Sequence, residues 1–467
     1  MNGERPGLLI RAGLALTEWS ERWFPEPLVF AFLGVVGVFL LGLAMGESPG
    51  ILAVEGGKAF WSLVPFTMQM VMIIVGGYVV ASAPLVRRGI DLLARLPRSP
   101  RGAVAFVALA SMLTSLVSWG LSLVFSGLLV RALARRVKGL DYRAAGAAGY
   151  LGVGAVWAMG LSSSAALMMA TKGAIPASLL AISGVIPLTE TIFRWPSLVT
   201  TAALLVVSVA LAWASAPSDA SARTAEELGV DVGEDKEPGE VEPPPTRPGE
   251  KLDASRILPT LVVLLLAVFL VHLFRSSPNG ALAALDLGTY NMIFLASGLL
   301  LHGTPRRFTA AVARSLPATG GVLIQYPFYA VIFGMIVGTR VAERLAEVFV
   351  AVSTPGSYPV VVAVYSTILG AVIPSAGSRW VIEAPYVLSA ANVHHVHLGW
   401  VVQIYNASEA LPNLVNPFWM LPLLGILKLK AKDLVGYCVL QLLVHVPLVY
   451  ALCWLFARVL PWTPPGP

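Results

Sequence analysis

Long apolar runs separated by short polar ones set the pattern of this chain. Residues 28–45, 61–83, 144–171, 197–216, 257–272, 320–338, 398–428 and 434–456 carry almost no charge. Each approaches or exceeds the ~20 residues that a helix needs to cross a ~30 Å hydrocarbon layer. Inside lipid every backbone N–H and C=O must be satisfied within the segment, so such runs are predicted to be helices. The pattern therefore predicts an all-α integral membrane protein. A soluble helical protein with a large core does not explain so many long runs. Composition sharpens this, because 57% of the 467 residues are hydrophobic and 12% are charged, against ~25% charged in soluble domains.

The polar segments carry the orientation. Arg87, Arg88, Arg95, Arg98 and Arg101 form one basic cluster, and Arg131, Arg135, Arg136, Lys138 and Arg143 form the next. Basic residues flanking spans favour the cytoplasmic side. A single crossing by the apolar segment 102–130 between them would leave one cluster outside. A re-entrant hairpin removes that conflict, with Ser118-Trp119-Gly120 as its tip. A second hairpin is expected over 360–391, interrupted by Pro374-Ser375-Ala376-Gly377-Ser378-Arg379. Continued along the chain, the count places the N-terminus inside and the C-terminus outside.

Between Ala216 and Ala254 stand 11 acidic and 4 basic residues, with Pro243-Pro244-Pro245 and few aromatics. That composition predicts a disordered, solvated connector on the cytoplasmic side. The chain then divides into an N-terminal transmembrane repeat over 1–215, an acidic disordered linker over 216–255 and a C-terminal transmembrane repeat over 256–467. Outside the connector 15 acidic and 28 basic residues remain of the chain's 26 and 32. These basic residues sit between apolar spans, which fits the cytoplasmic-loop rule better than nucleic-acid binding. Ahead of the first long run, Leu8, Leu9, Leu16, Trp19 and Trp23 fall near one helical face, the pattern of an interfacial helix.

The two halves repeat one order with opposite direction. Val64-Pro65-Phe66 in one matches Tyr326-Pro327-Phe328 in the other. Each is followed by a charged amphipathic stretch, a hairpin and a long apolar segment broken in its middle. Inverted repeats with discontinuous helices hold substrate near the midplane in many secondary transporters. Four interruptions stand out, at 118–122, 160–164, 374–379 and 406–416. A broken helix offers free N–H groups and a positive dipole end to a carboxylate. Ser118, Gly120, Ser122, Ser162, Ser163, Ser164, Ser375, Gly377, Ser378, Arg379 and Asn413 are accordingly candidates for substrate binding. Ser162-Ser163-Ser164 equally fits helix packing, and Ser118-Trp119-Gly120 an interfacial turn. Arg379 and Glu383 stand four apart, so they suit either an ion pair along one helix face or, through Arg379, direct contact with an anion. Glu409, flanked by Asn406 and Asn413, is an ionisable group inside a span and marks a pathway or relay, the alternative being a structural ion pair with Arg379, since Lys428 lies too far along the helix. Asn406, Glu409 and Asn416 are candidates for ion coupling.

Other chemistry is weakly signalled. His394, His395 and His397 read as a short interfacial loop rather than a metal site, with no carboxylate nearby in sequence. Cys438 and Cys453 fall in the last apolar run and read as buried hydrophobes. No phosphate-cradling Gly-rich loop with a Lys is present, so ATP-driven transport has no support. No nucleophile–base pair marks an enzyme, and no cofactor is implied.

Several of these segments also resemble a known family. The run Pro374-Ser375-Ala376-Gly377-Ser378-Arg379-Trp380-Val381-Ile382-Glu383-Ala384-Pro385, with Asn416-Pro417-Phe418-Trp419 and Asp433-Leu434-Val435-Gly436-Tyr437-Cys438, is similar to the bacterial short-chain fatty acid transporters. Phe24-Pro25-Glu26-Pro27-Leu28, Ser118-Trp119-Gly120 and Gln325-Tyr326-Pro327-Phe328-Tyr329 resemble that family's signatures too. The resemblance covers nearly the whole chain except the acidic connector. It implies a multi-pass protein of the cytoplasmic (inner) membrane that moves short monocarboxylates such as acetoacetate or butyrate. It further implies a fold like that of the larger ion-transporter group and coupling to H⁺ or Na⁺. A Gly-Gly-Gln-like run is replaced here by Gly377-Ser378-Arg379, so substrate identity within the class stays open. An anion channel or a di- or tricarboxylate carrier is the alternative, and a homodimer stays open.

Overall fold

The computed structural model describes residues 27–217, 222–233, 246–277, 281–372 and 376–464. All regular structure among them is helical. Among the described residues seven helices are long and apolar enough to cross a membrane, or eight if a bent pair counts as one span. The helix Ile257–Ser276 makes the membrane case most directly. Leu261, Leu265 and Val268 are each more than half exposed. A helix that is apolar all round yet unburied by protein belongs in lipid. The proposed interfacial helix at residues 8–23 lies outside the described residues.

The first hairpin is built from Pro100–Val117 and Trp119–Ala134. Ser99 caps the first leg by accepting from the Gly102 N–H at 3.2 Å, and Pro100 follows where its missing N–H costs nothing. A single extended residue, Ser118, separates the legs and caps the second, accepting from the Leu121 N–H at 3.4 Å. The legs pack on each other and on the following helix, Tyr142–Leu151.

That following helix is itself broken. After Leu151 come a π turn at Gly152–Val156 and a 3₁₀ turn at Trp157–Met159, and α-helix resumes at Ser164–Ala170. Two glycines explain how closely the break lies on the hairpin. A Cβ at Gly152 would stand 2.4 Å from the Ser111 carbonyl oxygen, and one at Gly160 2.3 Å from that of Leu116. Only a residue without a side chain allows backbone to meet backbone at that distance.

The second half repeats the sequence of parts. Its hairpin comprises Tyr358–Val372 and Ala376–His394, which pack together. Its broken helix runs Leu398–Glu409, a 3₁₀ turn at Leu411–Leu414, then Pro417–Leu427, with a bend of 47°. The two breaks meet, since the π turn of the first packs against the 3₁₀ turn of the second.

Boundaries shift in three places. Residues 376–379, expected within a break, form the first turn of Ala376–His394. Asn406 and Glu409 are helical, and the second interruption starts only at Ala410. The disorder expected across 216–255 does not hold for 222–233, where Tyr142 N–H donates to the Arg223 carbonyl at 2.8 Å and Arg223 N–H to Asp141 at 2.9 Å. Arg135 and Arg131 reach the Val232 and Gly233 carbonyls at 2.8 and 3.3 Å. Ala225 and Val230 are buried there. Net acidity hid two apolar anchors and a backbone that basic side chains can cap.

Candidate functional site

The breaks, the hairpin tips and the buried charges converge on one region. Trp157 and Ala158 of the first break, Ala376 at the start of the second hairpin's inner leg and Ala410 of the second break form one apolar cluster. Trp119, at the first hairpin's tip, packs against it and also meets Trp419 edge-on, centroids 6.1 Å apart. Tyr405 donates to the Ala376 carbonyl at 2.5 Å and Tyr150 to that of Asn413 at 2.6 Å, tying the elements together through backbone oxygens.

Around this apolar floor stand polar groups. Arg379 pairs with Glu409 through Nη2 and Oε2, both side chains being 1% exposed. The pair joins two helices, so the ion pair formed by Arg379 among the described residues is not the four-apart one with Glu383. Gly370 makes room for it, because a Cβ there would fall 2.4 Å from Arg379 Nη1. Glu383, fully buried, accepts from Ser366 at 3.0 Å. Ser163 donates to Asn406 Oδ1 at 2.9 Å and caps Ser164–Ala170 by accepting from the Ala166 N–H at 3.0 Å. Asn406 in turn donates to Gln403 at 2.5 Å.

Several buried polar atoms here make no hydrogen bond with the described residues: the acceptors Glu409 Oε1, Glu383 Oε1 and Asn413 Oδ1 and the donors Gln403 Nε2 and Trp157 Nε1. Buried polar atoms are paired in the great majority of folded proteins. These exceptions hold both donors and acceptors, which makes this region the candidate site.

The remaining sequence candidates divide. Ser122 donates to the Ser111 carbonyl at 2.7 Å and so joins the two legs of the hairpin, while Ser162 donates to that of Ser115 at 2.5 Å and binds the first break to the hairpin. Ser118 serves as a cap, and a Cβ on Gly77 would stand 2.7 Å from its oxygen. Gly120 has open space over its Cα. Ser164 is buried at the start of its helix, which packs against Ala376–His394. Gly377 lies against Tyr326 and Phe66, one from each half, and Ser378 is buried beside it. Asn416 closes the second break, its N–H on the Pro412 carbonyl at 3.1 Å. Ser375 lies outside the described residues.

The histidines sit elsewhere. His394 contacts Ser353 at 3.0 Å, His395 stacks edge-on with Trp462, and His397 reaches Glu190 at 3.1 Å. Sequence reasoning missed Gln403, Tyr405 and Trp157. The three-residue spacing of Gln403 and Asn406 in an apolar helix was a usable signal for the first. Nothing in the pattern distinguished the other two from core aromatics.

Helical hairpins, two broken helices and a buried charge pair where they meet define a multi-pass helical membrane protein built as membrane transporters are. Its overall path matches the Alcanivorax borkumensis YdaH transporter, described as having an unusual topology, with a TM-score of 0.58 at 14% identity. That match covers 95% of this chain and all of the other. MtrF of Neisseria gonorrhoeae, described within a class of antimetabolite efflux pumps, matches with a TM-score of 0.63 at 14% identity over 98% and 99% of the two chains. Sequence places the chain more closely, because residues 8–456 match the model of the short chain fatty acid transporter family. The protein belongs to that family. Provisionally named short-chain fatty acid transporters of Escherichia coli (strain K12) and Haemophilus influenzae (strain ATCC 51907 / DSM 11121 / KW20 / Rd) are 32% and 28% identical to it. The first alignment covers 92% of this chain and 95% of the relative, the second 94% and 98%.

Proposed function

We propose that the protein carries short-chain monocarboxylates such as acetoacetate or butyrate across the cytoplasmic membrane, coupled to H⁺ or Na⁺, through the site around Arg379. The observation that carries this is the buried Arg379–Glu409 pair, set among unsatisfied donors and acceptors and beside a small apolar cluster. A carboxylate substrate presents the same group as Glu409. It competes for a guanidinium whose planar fork suits two-point recognition of carboxylates. The short alkyl tail packs on Trp157, Ala158, Ala376 and Ala410. Gly377, Ser378 and Asn413 border the same space. Ser163 and Ser164 position it through Asn406 and the second hairpin's inner leg, and Ser118, Gly120, Ser122 and Ser162 support the first hairpin's tip.

Coupling follows from the exchange. When substrate takes Arg379, Glu409 loses its partner inside a low-dielectric site. An unpaired buried carboxylate costs several kcal/mol, so Glu409 takes up a proton or a cation. Asn406 and Asn416 offer amide oxygens to the second of these. The test is butyrate transport in proteoliposomes, wild type against Glu409→Gln. The variant is expected to lose the dependence of uptake on the driving gradient while butyrate–butyrate exchange persists. Gradient-driven uptake unchanged in Glu409→Gln would overturn the coupling role. Wild-type flux that is insensitive to both gradients and never saturates would favour an anion channel.

A further inference from the structure

The charges of the site do not balance. Two carboxyl groups, Glu383 and Glu409, are fully buried with one guanidinium, Arg379, and that guanidinium pairs with Glu409. Arg379 and Glu383 share the helix Ala376–His394, one turn apart. Glu383 receives one hydrogen bond, from Ser366, and its other oxygen takes none from the described residues. A carboxylate so placed would be a second buried negative charge against a single positive one, which the protein interior tolerates only by neutralising it.

Among the described residues, the ionisable groups that interact with Glu383 include no second cation. Tyr358 and Tyr365 come from the hairpin's outer leg, Tyr386 and Arg379 from Glu383's own helix, and Tyr405 and Glu409 from Leu398–Glu409. The phenols are engaged elsewhere. Tyr365 and Tyr386 share a 2.7 Å hydrogen bond, and Tyr358 and Tyr405 donate to the Val387 and Ala376 carbonyls at 2.5 Å each. A hard metal cation needs several oxygen ligands at once. Among the described residues no group of three acidic, histidine or cysteine side chains is assembled for one. The 3.0 Å contact with Ser366 runs equally well with the acid as donor, since hydroxyl hydrogens rotate.

We propose that Glu383 is a proton site, carried as the neutral carboxylic acid beside the Arg379–Glu409 ion pair. It deepens the reading of this region as a carboxylate-binding one, and it adds a resident proton distinct from whatever Glu409 takes up during turnover. Neutral Glu383 leaves Arg379 undivided between two internal carboxylates, so the substrate has one competitor and not two.

The experiment uses full-length, substrate-free protein in lipid nanodiscs at neutral pH. Infrared difference spectra between wild type and Glu383→Gln are expected to show the carbonyl stretch of a protonated carboxyl group that the variant lacks. Glu383→Gln, a near-isostere of the neutral acid, is expected to melt with the wild type. The proposal is overturned if the variant loses only an ionised carboxylate band. It is equally overturned if the variant melts well below wild type while keeping its fold, as deletion of a paired anion requires. Both readouts are taken without substrate, so a failure of butyrate transport leaves this inference standing and a failure here leaves transport standing.

Discussion

The hydroxyl of Ser163 donates to the side-chain oxygen of Asn406 at 2.9 Å, linking residues 243 positions apart and joining the first broken helix to the second. Both ends are buried, and the same Ser163 oxygen caps the helix that follows. One oxygen thus sets a local helix start and a contact between the two halves.

That double duty predicts non-additive substitution. Ser163→Ala and Asn406→Ala should each cost ~1 kcal/mol for the lost bond, more where a buried group is left unsatisfied. Their combination should fall short of the sum by ~0.5 kcal/mol or more. Thermal melting of the four proteins in one detergent measures it, and full additivity would show that the bond carries no energy.

Gly377 is predicted to tolerate no side chain. A Cβ would stand 2.8 Å from the Tyr326 hydroxyl and 3.2 Å from the Phe66 ring. Overpacking of this kind costs ~1–3 kcal/mol. Gly377→Ala should therefore lower the melting point and weaken butyrate binding. Gly120→Ala, with open space above it, should leave stability near wild type. Equal effects from both would show that the contact with Phe66 and Tyr326 is unimportant.

The docked part of the acidic connector hangs on Asp141. This buried carboxylate caps Tyr142–Leu151 through the Ala144 N–H at 2.8 Å, pairs with Arg143 at 2.9 Å and accepts from Arg223 N–H. Asp141→Ala should cost ~2 kcal/mol or more, from the lost cap and the orphaned partners. Limited trypsin digestion, followed at Arg223, should cut the variant faster than wild type. Equal rates would mean that the apolar anchors Ala225 and Val230 hold the segment alone.

His397 gives a pH dependence whose sign the geometry fixes. Its Nδ1 accepts from the Trp400 N–H at 3.1 Å while Nε2 faces Glu190, which requires the neutral ring. Burial, helped by the nearby Arg194, holds its pKa below the ordinary histidine value, against the pull of Glu190. The unfolded chain, protonating near ~6.5, then binds more protons than the fold as pH drops. Stability should fall below that pH, by at most ~1.4 kcal/mol per unit. His397→Asn keeps an N-cap and removes the titration, so its melting point should vary less between pH 7 and 5. A variant that tracks wild type across that range would assign the loss to other groups.

Much of this is legible in the sequence, and the reasons differ by element. Apolar runs exceeding the bilayer span give the helices, and the paired arginine clusters around 102–130 force the first hairpin. Glu409 and Arg379 stood out because a charge inside an apolar run is costly. Arg379 is also the credible ion-pair partner that the sequence offers Glu409, since Lys428 lies too far along the helix, and the structure makes that pair across 30 positions on different helices. The hydroxyls of Ser122 and Ser162 looked like ligands for substrate, and sequence cannot say that nearby backbone carbonyls would claim them. The order in 222–233 was hidden because its anchors are one alanine and one valine among many charges.

The meeting of Gly152 and Gly160 with the carbonyls of Ser111 and Leu116 has a mechanical consequence. At that spacing, carbonyl against Cα, the first hairpin and the break behind it cannot slip past each other without a steric collision. Ser162 fastens the same seam through the Ser115 carbonyl, and Ser122 ties the hairpin's two legs together through that of Ser111. Any rearrangement that exposes Arg379 first to one face of the membrane and then to the other must carry this block as a unit. The hinges have to lie where the packing is looser, beyond its edges.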